Sequence, residues 1–107
     1  MEIVALKLIT GEEIIAKVSQ KDYDELLGTR DTRPERLYQV TDCVLVNVHV
    51  QNGQIARGFA PWTIAAAAKL PTVRIPGNMI VVAYDPDSQV SKQYAEATST
   101  IDLSMVK

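Results

Sequence analysis

Leu6-Lys7-Leu8-Ile9-Thr10-Gly11-Glu12-Glu13-Ile14-Ile15-Ala16-Lys17-Val18 is the stretch whose reading decides the fold. Its first arm is apolar and β-rich, and Thr10-Gly11 interrupts it. Glycine reaches positive φ without steric cost, so the break predicts a tight hairpin. In the second arm Ile14, Ala16 and Val18 fall on one face, with Ile15, Lys17 and Ser19 on the other. That is the period of a half-buried strand. The first two strands are expected over about residues 2–9 and 12–20.

Downstream, residues 21–36 show no lasting apolar period, contain Gly28 and Pro34, and carry mixed charge. They read as an exposed inserted loop with at most one helical turn near Asp22 to Leu27. A long strand follows over 37–50, with Val44, Val46, Val48 and Val50 on one face. Asn52-Gly53 then signals a type I′ hairpin, because both central residues of that turn need positive φ. The return strand covers about 55–62 and ends at Pro61-Trp62. Thr63 to Pro71 reads as either a brief helical turn or an irregular connection, and Thr72 to Asn78 as a turn. The last strand, about 78–84, is apolar on both faces, so it is either covered on both sides or borrowed by a neighbouring molecule. Asp85-Pro86-Asp87-Ser88 reads as a helix start. Val90, Tyr94, Ala97 and Ile101 recur at helical spacing, which predicts a C-terminal amphipathic helix over about 87–102.

At 107 residues the chain is a single domain, 1–107, and 47% hydrophobic with 22% charged residues makes it globular. No apolar run approaches the roughly 20 residues of a membrane span. Met1-Glu2-Ile3-Val4 lacks the basic start of a secretory leader, and Cys43 is the only cysteine. A cytoplasmic protein without membrane partners is expected. Net charge is −2, unlike a strongly basic nucleic-acid binder, but its distribution is uneven. From Cys43 to Tyr84 there is no acidic residue, and Arg57, Lys69 and Arg74 make that block +3. The remaining eight basic and thirteen acidic residues give −5. The block is either the buried sheet, where charge of both signs is rare, or a positive patch that requires Arg74 to be exposed.

Nothing in the pattern points to an enzyme, a metal or a cofactor. Cys43 and His49 share a strand face, but six residues at about 3.3 Å each hold them roughly 20 Å apart, too far for a nucleophile pair. Glu12 and Glu13 point to opposite faces, which is wrong for paired carboxylates. The five glycines are isolated, so no phosphate loop is present.

The opening hairpin resembles the first Sm motif of the Sm-like (LSm) proteins, with Leu8, Thr10, Gly11, Ile14, Ala16 and Val18 in the motif's positions. Ile75-Pro76-Gly77-Asn78 before the last strand is similar to the second motif, Ile-Arg-Gly-Asn, with Pro76 in place of its arginine and Arg74 two positions earlier. The chain as a whole is similar to small Sm-like proteins of marine phage (cyanophage) origin. The resemblance implies a mainly β fold: a small, strongly bent, five-stranded antiparallel barrel of the Sm-like (SH3-type) kind, here with a C-terminal α-helix. Another five-stranded barrel, of the OB type, is the alternative, although its helix normally falls between the third and fourth strands.

The resemblance also implies a homo-oligomeric ring, paired here through strands 55–62 and 78–84, that binds single-stranded RNA or DNA around a pore. Host cytoplasm would be its setting if the chain is phage-encoded. Gly77 and Asn78 carry over as nucleic-acid-binding residues, with Arg74 as a substitute and Arg57 as a further candidate. Arg30, Arg33 and Arg36 of the inserted loop are weaker ones. The family's Asp-x-aromatic-Met-Asn site has no counterpart at Asp22-Tyr23 or Asp42-Cys43. An ordinary turn at Pro76-Gly77-Asn78 suits the alternative function, an adaptor ring that has lost nucleic-acid binding. Arginine stacking on bases or neutralising phosphate, and Asn78 hydrogen-bonding a base edge, would carry the first.

Overall fold

The structure is a computed structural model that describes residues 1–28, 34–62 and 72–106, without the side chains of His49, Gln51 and residues 99–106. The expected hairpin is its centre. Strand β1 (Glu2–Leu8) pairs antiparallel with β2 (Glu13–Val18), from Glu2 opposite Val18 to Lys7 opposite Glu13. Gly11 takes a φ of 93° at the turn, and its N–H donates to the Leu8 carbonyl at 2.9 Å. Four more strands complete the sheet: β3 (Leu37–Gln51), β4 (Gln54–Pro61), β5 (Val73–Pro76) and β6 (Ile80–Tyr84). Their order is β4-β3-β2-β1-β6, with β5 paired to the start of β3. The β3–β4 turn is as read, with Asn52 at φ 54° and Gly53 at 76°.

The fold is mainly β with a C-terminal helix, but the barrel of five strands is corrected to an open antiparallel sheet. Strands β4 and β6 lie at opposite ends of the order and do not pair with each other. The extra strand is β5, in a stretch expected to be a turn. Its register places Leu37 opposite Pro76 and Val40 opposite Val73. Pro76 sits at the last position of this short edge strand, where its missing N–H leaves no ladder bond unmade. Gly77–Met79 then forms a single 3-10 turn, so the last strand begins at Ile80 instead of residue 78.

The inserted segment over 21–36 holds the helical turn expected near Asp22 to Leu27, lengthened to a helix of eight residues. Helix α1 (Gln20–Leu27) starts it, with the Ser19 hydroxyl accepting from the Asp22 N–H at 3.2 Å. Leu26 is buried in the core, and Tyr23 and Leu27 pack partly against it. Arg36 closes the segment: its guanidinium reaches Asp22 at 2.6 Å and Glu25 at 2.9 Å and lies over the Tyr38 ring at 5.2 Å. The region expected between Thr63 and Pro71 lies outside the described residues, as do Arg30 and Arg33.

Both faces of the β1–β2 pair are covered, which explains its nearly continuous apolar run. The inner face, with Val4, Leu6, Leu8, Ile14, Ala16 and Val18, packs with Leu26, Tyr38, Val40, Cys43 and Ile75. The outer face carries Ala5, Ile15 and Val44 against Val90 and Tyr94 of helix α2 (Ser88–Val106). Asp87 caps that helix, its carboxylate accepting from the Val90 N–H at 2.8 Å.

A bulge in β3 lets one strand serve both ends of this arrangement. Ile15 pairs with Val44 and Lys17 with Thr41, so the β3 ladder gains a residue between them. Asp42 takes that irregularity at φ 54°, a left-handed conformation that Asp tolerates better than most residues. Side chains switch parity across it: Tyr38 and Val40 face the core before the bulge, and Cys43 after it. Tyr94 of α2 donates to the Asp42 carbonyl at 2.6 Å, and Lys17 pairs with the Asp42 carboxylate at 3.3 Å.

Candidate functional site

The residues singled out from sequence divide between two places. On β5, Ile75 points into the inner core, so its neighbour Arg74, opposite Gln39, points outward and is exposed. The 3-10 turn that follows buries Gly77 and exposes Asn78. Two backbone bonds fix this turn to the end of the inserted segment: Gly77 N–H to the Arg36 carbonyl at 2.8 Å, and Asn78 N–H to the Pro34 carbonyl at 3.1 Å. A third, Ile9 N–H to the Met79 carbonyl at 2.9 Å, ties it to the β1–β2 turn. Asn78 is thus held on a braced turn, directly after the strand that carries the exposed Arg74.

Arg74 makes no ion pair among the described residues. The acid-free block is therefore part sheet core, and the exposure that a positive patch requires of Arg74 is met. Cys43, Val44 and Ile75 are sheet core, while Arg57 and Arg74 are exposed cations. Arg36 does not join Arg74 as a free cation, because Asp22 and Glu25 already hold its guanidinium. Arg30 and Arg33 lie outside the described residues.

Arg57 belongs to the second place. It stands on β4 opposite Val48 and lines an outer-face pocket of about 200 Å³, to which Arg74, Gly77 and Asn78 do not contribute. Glu13, Tyr84 and Asp87 supply the other polar walls over a floor that includes Ala5, Ile15 and Val46. Burial, and then a hydrogen bond with Glu13, pushes the Tyr84 phenol up to about 12. The phenol's proton is therefore committed to the Glu13 carboxylate. Sequence reasoning missed this pocket, since its walls come from five strands and a helix and no spacing encodes it. The small residue Ala5, facing Tyr84 across the β1–β6 pair, was the one local signal.

Two other polar groups have structural settings. Tyr23 donates a short hydrogen bond to Asp85, which pushes its phenol up to about 12. Burial pushes the Cys43 thiol up to about 12, so it remains an uncharged core thiol at neutral pH. No group of three or more potential metal ligands occurs among the described residues.

The sheet ends are unusually apolar. Val81, Val82 and Tyr84 of β6 are 58%, 48% and 38% exposed, so this strand is not covered on both sides within the chain. At the β3–β4 tip Val48, Val50 and Ile55 are more exposed still. No helix among the described residues is long and apolar enough to cross a membrane. Compared with protein-family models and with curated proteins, the chain matches none.

Proposed function

We propose that this chain is a ring-forming protein of the Sm-like kind that binds single-stranded RNA or DNA in nucleic-acid processing, within the cytoplasm. The exposure of both Arg74 and Asn78, in a stretch of sequence without acidic residues, is the observation that carries this reading. A guanidinium there neutralises phosphate or stacks on a base, and the Asn78 amide reads a base edge. The ring is supported by the two sheet ends. Among the described residues, strands β4 and β6 each have a strand partner on one side only, and both carry exposed aliphatic residues. An open apolar edge is an aggregation hazard that pairing with another copy removes. Because the two edges differ, their pairing is head-to-tail, and such contacts close into rings when the rotation allows.

Fluorescence anisotropy tests the site. Labelled U-rich RNA, A-rich RNA and single-stranded DNA are titrated with the wild type and Arg74→Ala across a salt series. Binding that weakens with salt, and that the substitution reduces, is the expected result. Binding indifferent to Arg74→Ala would move the site elsewhere. The second reading, an adaptor ring without nucleic acid, draws support from Pro76 in place of an arginine and from Arg36 being held by two carboxylates. It predicts an oligomeric mass with no oligonucleotide binding even at low salt, whereas a monomer at micromolar concentration defeats both readings.

A further inference from the structure

The outer-face pocket has a charge arrangement that the nucleic-acid reading does not use. Glu13 on β2 and Arg57 on β4 flank β3 on the same face, two strand spacings across and two residues apart along it, or about 12 Å at the backbone. The floor beside them is aliphatic, with Val46 on the strand between and Ile15 beyond Glu13, and Val90 at the start of α2 lines the same cavity. Arg57 makes no ion pair among the described residues, although two carboxylates line the same cavity. Glu13 takes the Tyr84 hydrogen bond, and Asp87 commits one oxygen to the cap of α2. The recess persists because Ala5, buried on the strand next to Tyr84, has only a methyl group to put into it.

Opposite charges on facing walls, held apart over an apolar floor, favour a ligand that carries both charges and a short aliphatic group. An anion alone would face Glu13 and Asp87, and a cation alone would face Arg57. We propose that the pocket binds a free α-amino acid with a branched aliphatic side chain. Its carboxylate lies against Arg57, its ammonium against Glu13, and its side chain on Val46 and Ile15. The volume of about 200 Å³ suits a single residue and excludes a folded peptide. Charge-assisted hydrogen bonds at both ends supply the affinity, with the apolar floor selecting the side chain.

Isothermal titration calorimetry of the intact chain with L-leucine is the test, alongside glycine, 4-methylpentanoate and 3-methylbutylamine. For a ligand this small the expected Kd is on the order of 1 mM. Leucine binds saturably, and each of the other three at least about tenfold more weakly. Arg57→Gln brings leucine down to the level of the amine, and Glu13→Gln brings it down to that of the carboxylate. Arg57 is exposed, so its substitution leaves the fold intact and separates lost binding from lost structure. No saturable leucine binding to the wild type overturns the proposal. So does leucine binding that neither substitution weakens, or glycine binding as well as leucine.

Discussion

The inner face of the β1–β2 hairpin and the tip of the β3–β4 hairpin use the same residue types to opposite ends. Val4, Leu6, Ile14 and Val18 are wholly buried, whereas Val50 and Ile55 are 72% and 76% exposed. Both are antiparallel ribbons joined by a tight turn with a left-handed glycine. The difference lies in what stands across from them. Helix α1 and the first half of β3 close over the inner face, while β3 beyond Leu45 has β4 as its only ladder partner among the described residues. A two-stranded ribbon by itself is marginal in water, so the tip depends on the body of the sheet and leaves its apolar surface to spare. Residue type alone decides strand; position in the sheet order decides whether the strand is core or contact surface.

The comparison breaks first at the core. Ile14→Ala removes a fully buried side chain and should cost about 2–5 kcal/mol, read as a lower urea midpoint at unchanged slope. If it costs no more than a surface change, the inner face is not the core. Alkaline pH is the next lever. The Cys43 thiol is raised from 9.0 to about 12, so the stability it confers is fully present below pH 9 and lost as pH rises through about 12. Urea midpoints should fall across that window, by up to roughly 1.4 kcal/mol per pH unit for one group, and Cys43→Ala should flatten the onset.

Arg36→Met tests the brace between inserted segment and core. It leaves the buried Asp22 carboxylate without its cation, which should cost about 1–3 kcal/mol and reduce the α1 signal in amide hydrogen exchange. The smallest effect is expected at the tip. Ile55→Thr should change chain stability by no more than about 0.5 kcal/mol, yet lower the oligomer fraction in sedimentation velocity. A large stability loss there would mean the tip is core after all.

Much of the strand framework was readable because period and turn chemistry are local. Gly11, Asn52-Gly53 and the Val90–Tyr94 stripe each announced their element. Helix α1 was harder: the buried Leu26 and the partly buried Tyr23 and Leu27 form its core-facing stripe, but five charged or polar residues surround them in only two turns. Ser19 three residues before Asp22 was the available cap signal. Strand β5 hid behind Pro76, since a four-residue edge strand ending in proline has the composition of a turn. Of the candidate site, Arg74 and Asn78 were legible as a motif, but their exposure was not. That Arg36 would be held by Asp22 and Glu25 depends on a contact across the inserted segment.

The left-handed Asp42 has a consequence for how the chain tolerates length changes. Removing that single residue would let β2 and β3 pair without interruption, a gain for the ladder alone. It would also turn residues 37–41 over, sending Tyr38 and Val40 to water and Leu37 and Gln39 into the core. One deleted residue would thus do the damage of several core substitutions made at once. Substitution at position 42 by Gly or Asn, by contrast, preserves the left-handed backbone and with it the sidedness of the whole strand. At this point the fold is defined by a count of residues more than by their identity.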